Sequence, residues 1–266
     1  MHQRLIYDVG VNDGADTAFY LSQGHRIVGI EASPVMVEQL RRKFAKEIDD
    51  GSFTLLNVGV ADTEGELDFW VSDVHEWSSF HREIASRNGT HHYKVPVRTR
   101  LFEDVIAEHG IPFYCKIDIE GNDGLCLMGL SQDTAPEYIS IEMSHEAGGE
   151  DLALLRGLGY DKFKLISQVT RAQPIRFMTA LGYALPGRLA RAPRKLIRKT
   201  IGIEKFNGWT FPYNASGVFA EDTPGPWRSY EAVYKMWEYL RDTDLRFGQK
   251  GLGEWFDFHA TKSNGA

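Results

Sequence analysis

A glycine-containing turn between two apolar runs most constrains the fold of this chain. Residues 8–15 are DVGVNDGA and residues 26–31 are RIVGIE. An apolar run, a glycine turn, a helix-sized interval and a second apolar run ending in a carboxylate are typical of a nucleotide-binding β-α-β unit. Glu31 is then placed to accept hydrogen bonds from ribose hydroxyls, while Gly10 and Gly14 let a cofactor approach the backbone at a helix start.

The charge of the turn separates two kinds of cofactor. A dinucleotide-binding turn reads G-x-G-x-x-G and holds a diphosphate at a helix N-terminus. That third glycine is missing here, and Asp8 and Asp13 precede the two glycines that are present. Carboxylates repel phosphates but attract the sulfonium and ammonium groups of S-adenosylmethionine, so the turn favours that cofactor. The alternative is that both acids only cap the following helix.

Apolar runs alternate with helical patterns along the first two thirds of the chain. This alternation predicts a mostly parallel sheet with helices on both faces and a ligand site beyond the carboxyl ends of the strands. The residues expected at that edge are Asp8, Glu31, Asn57, Asp118 and Glu142. Strands are predicted at residues 4–9, 26–31, 53–60, 67–71, 93–99, 113–119, 138–143 and 160–167, and helices at 16–23, 33–48, 101–109, 123–130 and 149–158.

A second motif, KIDIEG at residues 116–121, follows one of these apolar runs. If the strand persists, Asp118 and Glu120 point the same way. Two neighbouring carboxylates at the ligand edge would orient a cofactor or substrate and hold a proton-accepting partner. The alternative is a surface pair that caps the next helix.

Length and charge bound the organisation of the chain. Its 266 residues suffice for one large α/β core and an appendage, and the formal charge is −7. Residues 171–205 nevertheless carry nine basic residues against one acid, which predicts a boundary near residue 170, with a core at 1–170 and a basic helical extension at 171–266. No apolar stretch approaches the ~20 residues of a spanning helix, and the first strand begins by Leu5, so we expect a cytoplasmic protein.

Several motifs taken together resemble the FkbM-type methyltransferases. They are Asp8 to Gly10 with Asn12 and Gly14, residues 31–34 (EASP), Asn57 ahead of DTEG at 62–65, the 116–121 motif, Ile141-Glu142 and the serine pair Ser78-Ser79. Their order and spacing match across roughly residues 4–165. The basic stretch at 171–205 lies outside that core, and Asn122-Asp123 departs from the usual pattern.

The resemblance implies a Rossmann-like class I methyltransferase with a seven-stranded sheet. It also implies an enzyme that transfers a methyl group from S-adenosylmethionine, most often to a hydroxyl of a sugar, glycolipid or related natural product. The cofactor site would comprise Asp8, Gly10, Asn12, Asp13, Gly14, Glu31, Ala32, Asn57 and Asp118. Substrate contacts are expected from His75, Ser79 and Glu142.

Methyl transfer to oxygen needs alignment of the nucleophile and removal of its proton. His145, just past a predicted core strand, is the first candidate for the general base, and His75 and His81 in the polar segment 75–92 are rivals. Asp118 and Glu120 complete the expected catalytic set. No metal-binding spacing is recognisable, so no metal is predicted.

The basic segment 171–205 leaves several partners open. It could lie on an anionic membrane surface, receive a phosphate-bearing glycolipid, form a homodimer contact or remain a solvated insertion. Nucleic acid is not expected, because the overall charge is negative. Two other functions share parts of the pattern, namely a nicotinamide-dependent oxidoreductase and a non-catalytic glycan-binding module on the same fold.

Overall fold

The structure is a computed structural model that describes residues 3–213, 215–246 and 254–263. The chain forms two compact units, Met1–Glu137 and Tyr138–Ala266. These units are defined by contacts within the fold, whereas the boundary predicted at residue 170 separates a core common to a family from an appended segment. The predicted boundary is therefore not tested by this division and stays a prediction.

The first unit contains four parallel strands that run in the predicted places. In this unit β1 (Leu5–Val9) pairs with β2 (Arg26–Ile30) and with β7 (Tyr114–Ile117), and β2 pairs with β3 (Phe53–Leu56). All three pairings are parallel. The strands have the order β3-β2-β1-β7, and helices connect β1 to β2 and β2 to β3, as parallel neighbours require. The strands of this unit are β1 Leu5–Val9, β2 Arg26–Ile30, β3 Phe53–Leu56, β4 Gly59–Val60, β5 Gly65–Ser72, β6 His92–Arg100 and β7 Tyr114–Ile117.

The helices predicted for the first unit begin and end near the predicted residues, and one short helix at residues 82–85 was not predicted. The Ser33 side chain caps the second helix by accepting a hydrogen bond from the Met36 amide, and Pro34 occupies its first turn. The predicted helix 33–48 is interrupted at Phe44, where φ is −114°. The helices are α1 Ala15–Ser22, α2 Pro34–Lys43, α3 Ala45–Asp49, α4 Arg82–Ala85, α5 Phe102–His109 and α6 Asp123–Met128.

The predicted single strand at residues 53–60 is wrong, because it divides between two sheets. β3 belongs to the parallel sheet, whereas β4 joins a three-stranded sheet of order β4-β6-β5. Between them the Asn57 side-chain amide donates hydrogen bonds to the carbonyl oxygens of Glu31 (3.0 Å) and Ala32 (3.2 Å). These bonds satisfy the Asn57 amide at the turn where the chain leaves the first sheet.

The second unit is built around an antiparallel strand from the end of the chain. This strand, β12 (Phe256–Thr261), pairs antiparallel with both β8 (Tyr138–Glu142) and β9 (Lys162–Ser167), and its Phe258 is fully buried. A C-terminal strand was not predicted, because residues 256–261 (FDFHAT) form one short run with no helical crossover to mark it. The strands are β8 Tyr138–Glu142, β9 Lys162–Ser167, β10 Lys205–Phe206, β11 Trp209–Thr210 and β12 Phe256–Thr261.

Four helices accompany these strands: α7 Gly148–Gly157, α8 Arg176–Ala184, α9 Ala192–Thr200 and α10 Tyr230–Arg246. Pro186 and one 3₁₀ turn, Gly187–Arg191, lie between α8 and α9, and Pro193 occupies the first turn of α9. None of the helices in the described part of the chain combines the length and apolar character needed to cross a bilayer.

Seven strands belong to one sheet of order β3-β2-β1-β7-β8-β12-β9. Numbered along the chain within that sheet, the order is 3-2-1-4-5-7-6. The sheet is mostly parallel and alternates with helices, which confirms the predicted fold class and its helical C-terminal part.

Candidate functional site

The glycine turn after β1 is packed against its own neighbours. Gly10 has φ +89°, and a Cβ there would lie 1.8 Å from the Asp118 carbonyl oxygen. Gly14 has φ +75°, and its Cβ would lie 2.5 Å from the ring of Phe44. Gly10 is therefore required by the close approach of the turn after β7, and Gly14 by the close approach of α2 and Phe44. These packing reasons for glycine are separate from the predicted approach of a cofactor to the backbone.

Glu31, which follows β2, is held by backbone donors. Its Oε2 accepts a hydrogen bond from the Asn12 amide at 2.9 Å and its Oε1 accepts one from the Ser33 amide at 2.8 Å. Burial raises the pKa of this carboxyl group to about 7, although the two backbone hydrogen bonds act in the opposite direction. A carboxylate has about four acceptor positions, more than these backbone amides occupy, so the ribose contact predicted for Glu31 stays open to it.

The other predicted residues of the turn have local partners as well. Asp13 Oδ1 accepts a hydrogen bond from the Ala15 amide at 2.9 Å, a local bond two residues along the chain, whereas the N-cap of α1 is Gly14. Asn12 has φ +52°, and its buried Oδ1 has no hydrogen-bond partner among the described residues. Ala32 packs against the apolar cluster of Phe69, Val71 and Val97.

A buried lysine is surrounded by three carboxylates at the ends of β1 and β7. Lys116 Nζ lies 3.1 Å from Asp118 Oδ2, 3.7 Å from Asp16 Oδ2 and 4.0 Å from Asp8 Oδ1. Acids outnumber the cation, and the site is largely removed from water. Such an arrangement attracts a further positive charge and repels a diphosphate.

Asp8 is the most buried of these acids, with 1% of its surface exposed. Its Oδ2 accepts a hydrogen bond from the Thr17 hydroxyl at 2.6 Å, whereas Oδ1 has no hydrogen-bond partner in the part of the chain that is described. Burial raises the pKa of Asp8 to about 6, against the opposing effect of Lys116. A buried carboxylate oxygen without a donor is the group that a cationic ligand would satisfy.

The turn after β7 does not continue the strand. β7 ends at Ile117 and Glu120 has φ +53°, so the prediction that Asp118 and Glu120 point the same way by strand alternation is wrong. Asp123 shapes the turn, since Oδ1 accepts from the Ile119 amide (3.0 Å) and Oδ2 accepts from the Gly121 amide (3.1 Å). Asp118 faces Lys116, and Glu120 faces a different cation.

That cation is Arg87, which belongs to the polar segment 75–92. Arg87 Nη1 lies 3.1 Å from Glu120 Oε2, and the Ser79 hydroxyl donates to the Glu120 carbonyl oxygen at 2.7 Å. Burial and the nearby Asp118 charge raise the pKa of Glu120 to about 7, against the opposing effect of Arg87. His81 Nε2 and Asn122 Oδ1 are 2.9 Å apart, so the segment is tied to the turn at three points.

The predicted substrate contacts have different surroundings. Ser79 is buried, whereas the half-exposed His75 lies 3.3 Å from its neighbour Glu76. Glu142 is paired in register with Asp257 between β8 and β12. The substrate roles of these three residues stay predictions.

In the second unit, His145 is paired with a carboxylate of α10. Its Nε2 is 2.5 Å from Asp244 Oδ2, and Asp244 Oδ1 is buried without a hydrogen-bond partner among the described residues. The adjacent Ser144 carbonyl oxygen accepts a hydrogen bond from the Trp237 indole at 2.9 Å, which fixes this turn against α10. A carboxylate on one ring nitrogen orients the imidazole and leaves the other nitrogen available for proton transfer.

The second unit also has a groove of about 590 Å³ between α8 and α10. Charged side chains line it, and it contains none of the predicted site residues. The residues that line the groove are Arg176, Ala180, Lys235, Glu238, Tyr239, Asp242, Thr243 and Arg246.

In the parts of the chain that are described, no cluster of three or more His, Cys, Asp or Glu side chains is placed to hold a metal ion.

Sequence reasoning missed several residues that organise the site. The sequence assigns no role to Lys116 within the 116–121 motif, or to Asp16, Thr17 and Arg87, and it marks Asp123 only as a departure from the family pattern. A signal existed for Asp16 and Thr17, because a polar pair in the first turn of α1 faces back toward the end of β1. No local signal marks the pairing of Arg87 with Glu120, since the two are far apart in sequence.

An α/β sheet with a glycine turn after β1 and a fixed carboxylate after β2 is typical of proteins that bind a nucleotide cofactor. The Methyltransferase FkbM domain model matches residues 8–162, more than half of the chain. The chain therefore belongs to the FkbM methyltransferase family, which confirms the resemblance.

The individual proteins that resemble this chain do so over a short stretch or at low sequence identity. A probable ribosomal RNA small subunit methyltransferase A from Methanospirillum hungatei is 40% identical over 53 residues, which is 20% of this chain and 21% of that protein. The crystal structure of methyltransferase FkbM from Methylobacillus flagellatus has a TM-score of 0.45 and 17% identity, covering 61% of this chain and 40% of the other. A precorrin-6y C5,15-methyltransferase from Geobacter metallireducens has a TM-score of 0.42 and 9% identity, covering 99% and 82%. The matches to the Methanospirillum and Methylobacillus proteins thus span only about a fifth and two fifths of those proteins.

Proposed function

We propose that this protein is an S-adenosylmethionine-dependent methyltransferase that methylates a hydroxyl oxygen of a sugar, glycolipid or related natural product in the cytoplasm. The observation that carries the proposal is the excess of carboxylate groups over positive groups at the end of β1. Asp8, Asp16 and Asp118 surround one cation, Lys116, and Asp8 Oδ1 lacks a hydrogen-bond donor among the described residues. Membership of the FkbM methyltransferase family supports the same reaction class.

The residues present suit S-adenosylmethionine better than a dinucleotide. Bound S-adenosylmethionine would supply an electrophilic methyl group on a sulfonium. The acidic cluster would attract its positive charges, and Glu31 would accept hydrogen bonds from its ribose hydroxyls through the lone pairs that Asn12 and Ser33 leave free. A diphosphate at the same turn would face these carboxylates.

The acceptor side requires a base for the hydroxyl proton. His145 is our candidate, supported by its contact with Asp244, which leaves Nδ1 as the ring nitrogen available to the acceptor. Glu120 is a second candidate because its raised pKa of about 7 suits proton transfer near neutral pH. A positioned general base typically contributes about 100 to 10,000-fold in rate.

Calorimetry with S-adenosylhomocysteine tests the cofactor, and transfer of labelled methyl groups to fractionated glycans and lipids tests the acceptor. We expect binding of S-adenosylhomocysteine and label in a hydroxyl-bearing fraction that is released only by ether-cleaving chemistry. Absence of S-adenosylhomocysteine binding, or enhanced fluorescence of NADH on addition of the protein, would reject the proposal. Cofactor binding without transfer to any fraction would indicate the glycan-binding module instead.

A further inference from the structure

We infer that the segment 175–201, which we term the basic arm, docks the protein on an anionic lipid bilayer. The arm comprises α8, the following 3₁₀ turn and α9 with its immediate flanks. This inference goes beyond the proposed function and does not depend on it.

The arm exposes large apolar side chains that a water-facing helix rarely retains. Phe177 is 72% exposed, Leu189 59%, Leu196 54% and Ile201 48%. One such side chain in each of α8, the 3₁₀ turn and α9, with Ile201 just beyond, means that every element of the arm contributes to the apolar surface. These side chains give the arm an exposed apolar component, and the neighbouring charges indicate what could cover it.

Cations flank these side chains. Arg188 and Arg191 are exposed beside Leu189, and Lys195 and Lys199 are exposed beside Leu196. Among the described residues, no hydrogen bond or ion pair is formed by any of these four side chains, whereas Arg198 of the same helix is paired with Glu204. The free cations are therefore available for an anionic partner.

The two faces of α9 show how the arm would be oriented. Pro193 and Ile197, four residues apart, are buried and hold the helix against the rest of its unit. Lys195 and Lys199 lie on the side of the helix that points away from Pro193 and Ile197, because successive residues are 100° apart. Leu196 lies on the flank, about 80° from the buried face and next to Lys199. The outward side is therefore cationic with one exposed apolar side chain at its border, which suits contact with the headgroup region of a membrane interface.

An anionic bilayer fits this surface better than a nucleic acid does. Phosphodiesters alone would satisfy the cations but would leave the side chains of Phe177, Leu189 and Leu196 in water. A bilayer offers anionic headgroups for the cations and acyl chains for the apolar side chains. No helix in the described residues crosses the bilayer, so the contact would be peripheral.

Sedimentation with phosphatidylcholine vesicles, with and without phosphatidylserine, tests the inference on the whole protein without any methyl donor. We expect binding only when phosphatidylserine is present, and its loss at high salt. The Lys195→Ala/Lys199→Ala variant should bind about 25-fold more weakly, at about fivefold for each cation. The Phe177→Ser/Leu196→Ser variant should bind at least about tenfold more weakly because it loses apolar burial.

The matched control is Arg41→Ala/Lys46→Ala, which removes two exposed cations from α2 and α3 and should leave vesicle binding unchanged. Thermal melts check that all variants are folded, which is expected because every substituted side chain is exposed. Three results would overturn the inference: no dependence on phosphatidylserine, equal loss in the control variant, or binding of RNA but not of vesicles. Failure of the S-adenosylhomocysteine experiment would leave this result unaffected, so the two proposals fail separately.

Discussion

The main-chain nitrogen of Asn12 donates a hydrogen bond of 2.9 Å to Glu31 Oε2. This bond ties the turn after β1 to the residue that ends β2. Glu31 consequently has a structural task, holding the turn, in addition to its proposed contact with ribose. Tests of the cofactor site have to separate these two roles.

Glu31→Ala should abolish detectable S-adenosylhomocysteine binding and also destabilise the protein by about 1 to 3 kcal/mol, because the buried Ser33 amide and the partly buried Asn12 amide lose their acceptors. Calorimetry and urea unfolding of the same samples measure the two effects. Glu64→Ala, at an exposed glutamate, serves as the control and should change neither. Loss of stability with unchanged affinity would show that Glu31 is only structural.

Gly10→Ala should destabilise the protein by more than about 3 kcal/mol, because the new methyl group would meet the Asp118 carbonyl at 1.8 Å as well as requiring positive φ. Gly24→Ala is a matched control, since Gly24 has φ +81° but nothing within 4 Å of the new Cβ. It should cost only the backbone strain, about 1 kcal/mol. Equal effects in urea unfolding would contradict the close packing of the two turns.

Lys116→Met should destabilise the protein by about 3 to 5 kcal/mol, because it leaves buried carboxylates without their cation. The loss should be larger at pH 8 than at pH 4.5, since the carboxylates are then ionised. Lys94→Met, which breaks a half-exposed ion pair with Asp68, should cost at most about 1 kcal/mol at either pH. A pH-independent effect at Lys116 would argue that these acids are protonated in the folded protein.

Stability of the unliganded protein should fall as pH rises from about 4 to 7. Burial raises the pKa of Asp8 from 3.8 to about 6 and that of Glu31 from 4.5 to about 7. The folded state therefore holds protons that the unfolded state has already released, so unfolding becomes easier as pH increases through this window. Asp8→Asn should reduce the change in unfolding free energy between pH 4 and pH 8 by about 2 to 3 kcal/mol.

Urea unfolding at several pH values measures this slope, with Glu64→Gln as the exposed control. An unchanged slope in Asp8→Asn would mean that other groups carry the pH dependence. The same ionisation should strengthen binding of a cationic cofactor above pH 6, a trend opposite to that of stability.

His145→Ala should lower turnover by at least about 100-fold while S-adenosylhomocysteine affinity stays within a factor of two, if the imidazole is the general base. Asp244→Asn should also lower turnover and shift the pH profile, because the Asp244 carboxylate both orients the ring and stabilises its protonated form. A His91→Ala variant, at an exposed histidine of the 75–92 segment, is the control. Retained turnover in His145→Ala would transfer the role to Glu120 or another group.

The sequence by itself determined the local parts of this protein. The β-α-β unit at residues 5–30, the proline and serine start of α2 and most helix bounds follow from periodicity and capping, which depend on neighbours within a few residues. The family likewise follows from ordered motifs along residues 8–162. These features were predictable because each one is encoded over a short stretch.

Contacts between distant residues were decided only by the tertiary structure. Asn57 divides the predicted strand by bonding to the backbone after β2, Asp123 ends β7 early, and residues 256–261 insert as a strand between β8 and β9. The three acids around Lys116 were likewise hidden, because which charges share a buried space depends on strand register and helix placement. Periodicity assigns a residue to a face, whereas the partner it meets there is set by how the whole chain packs.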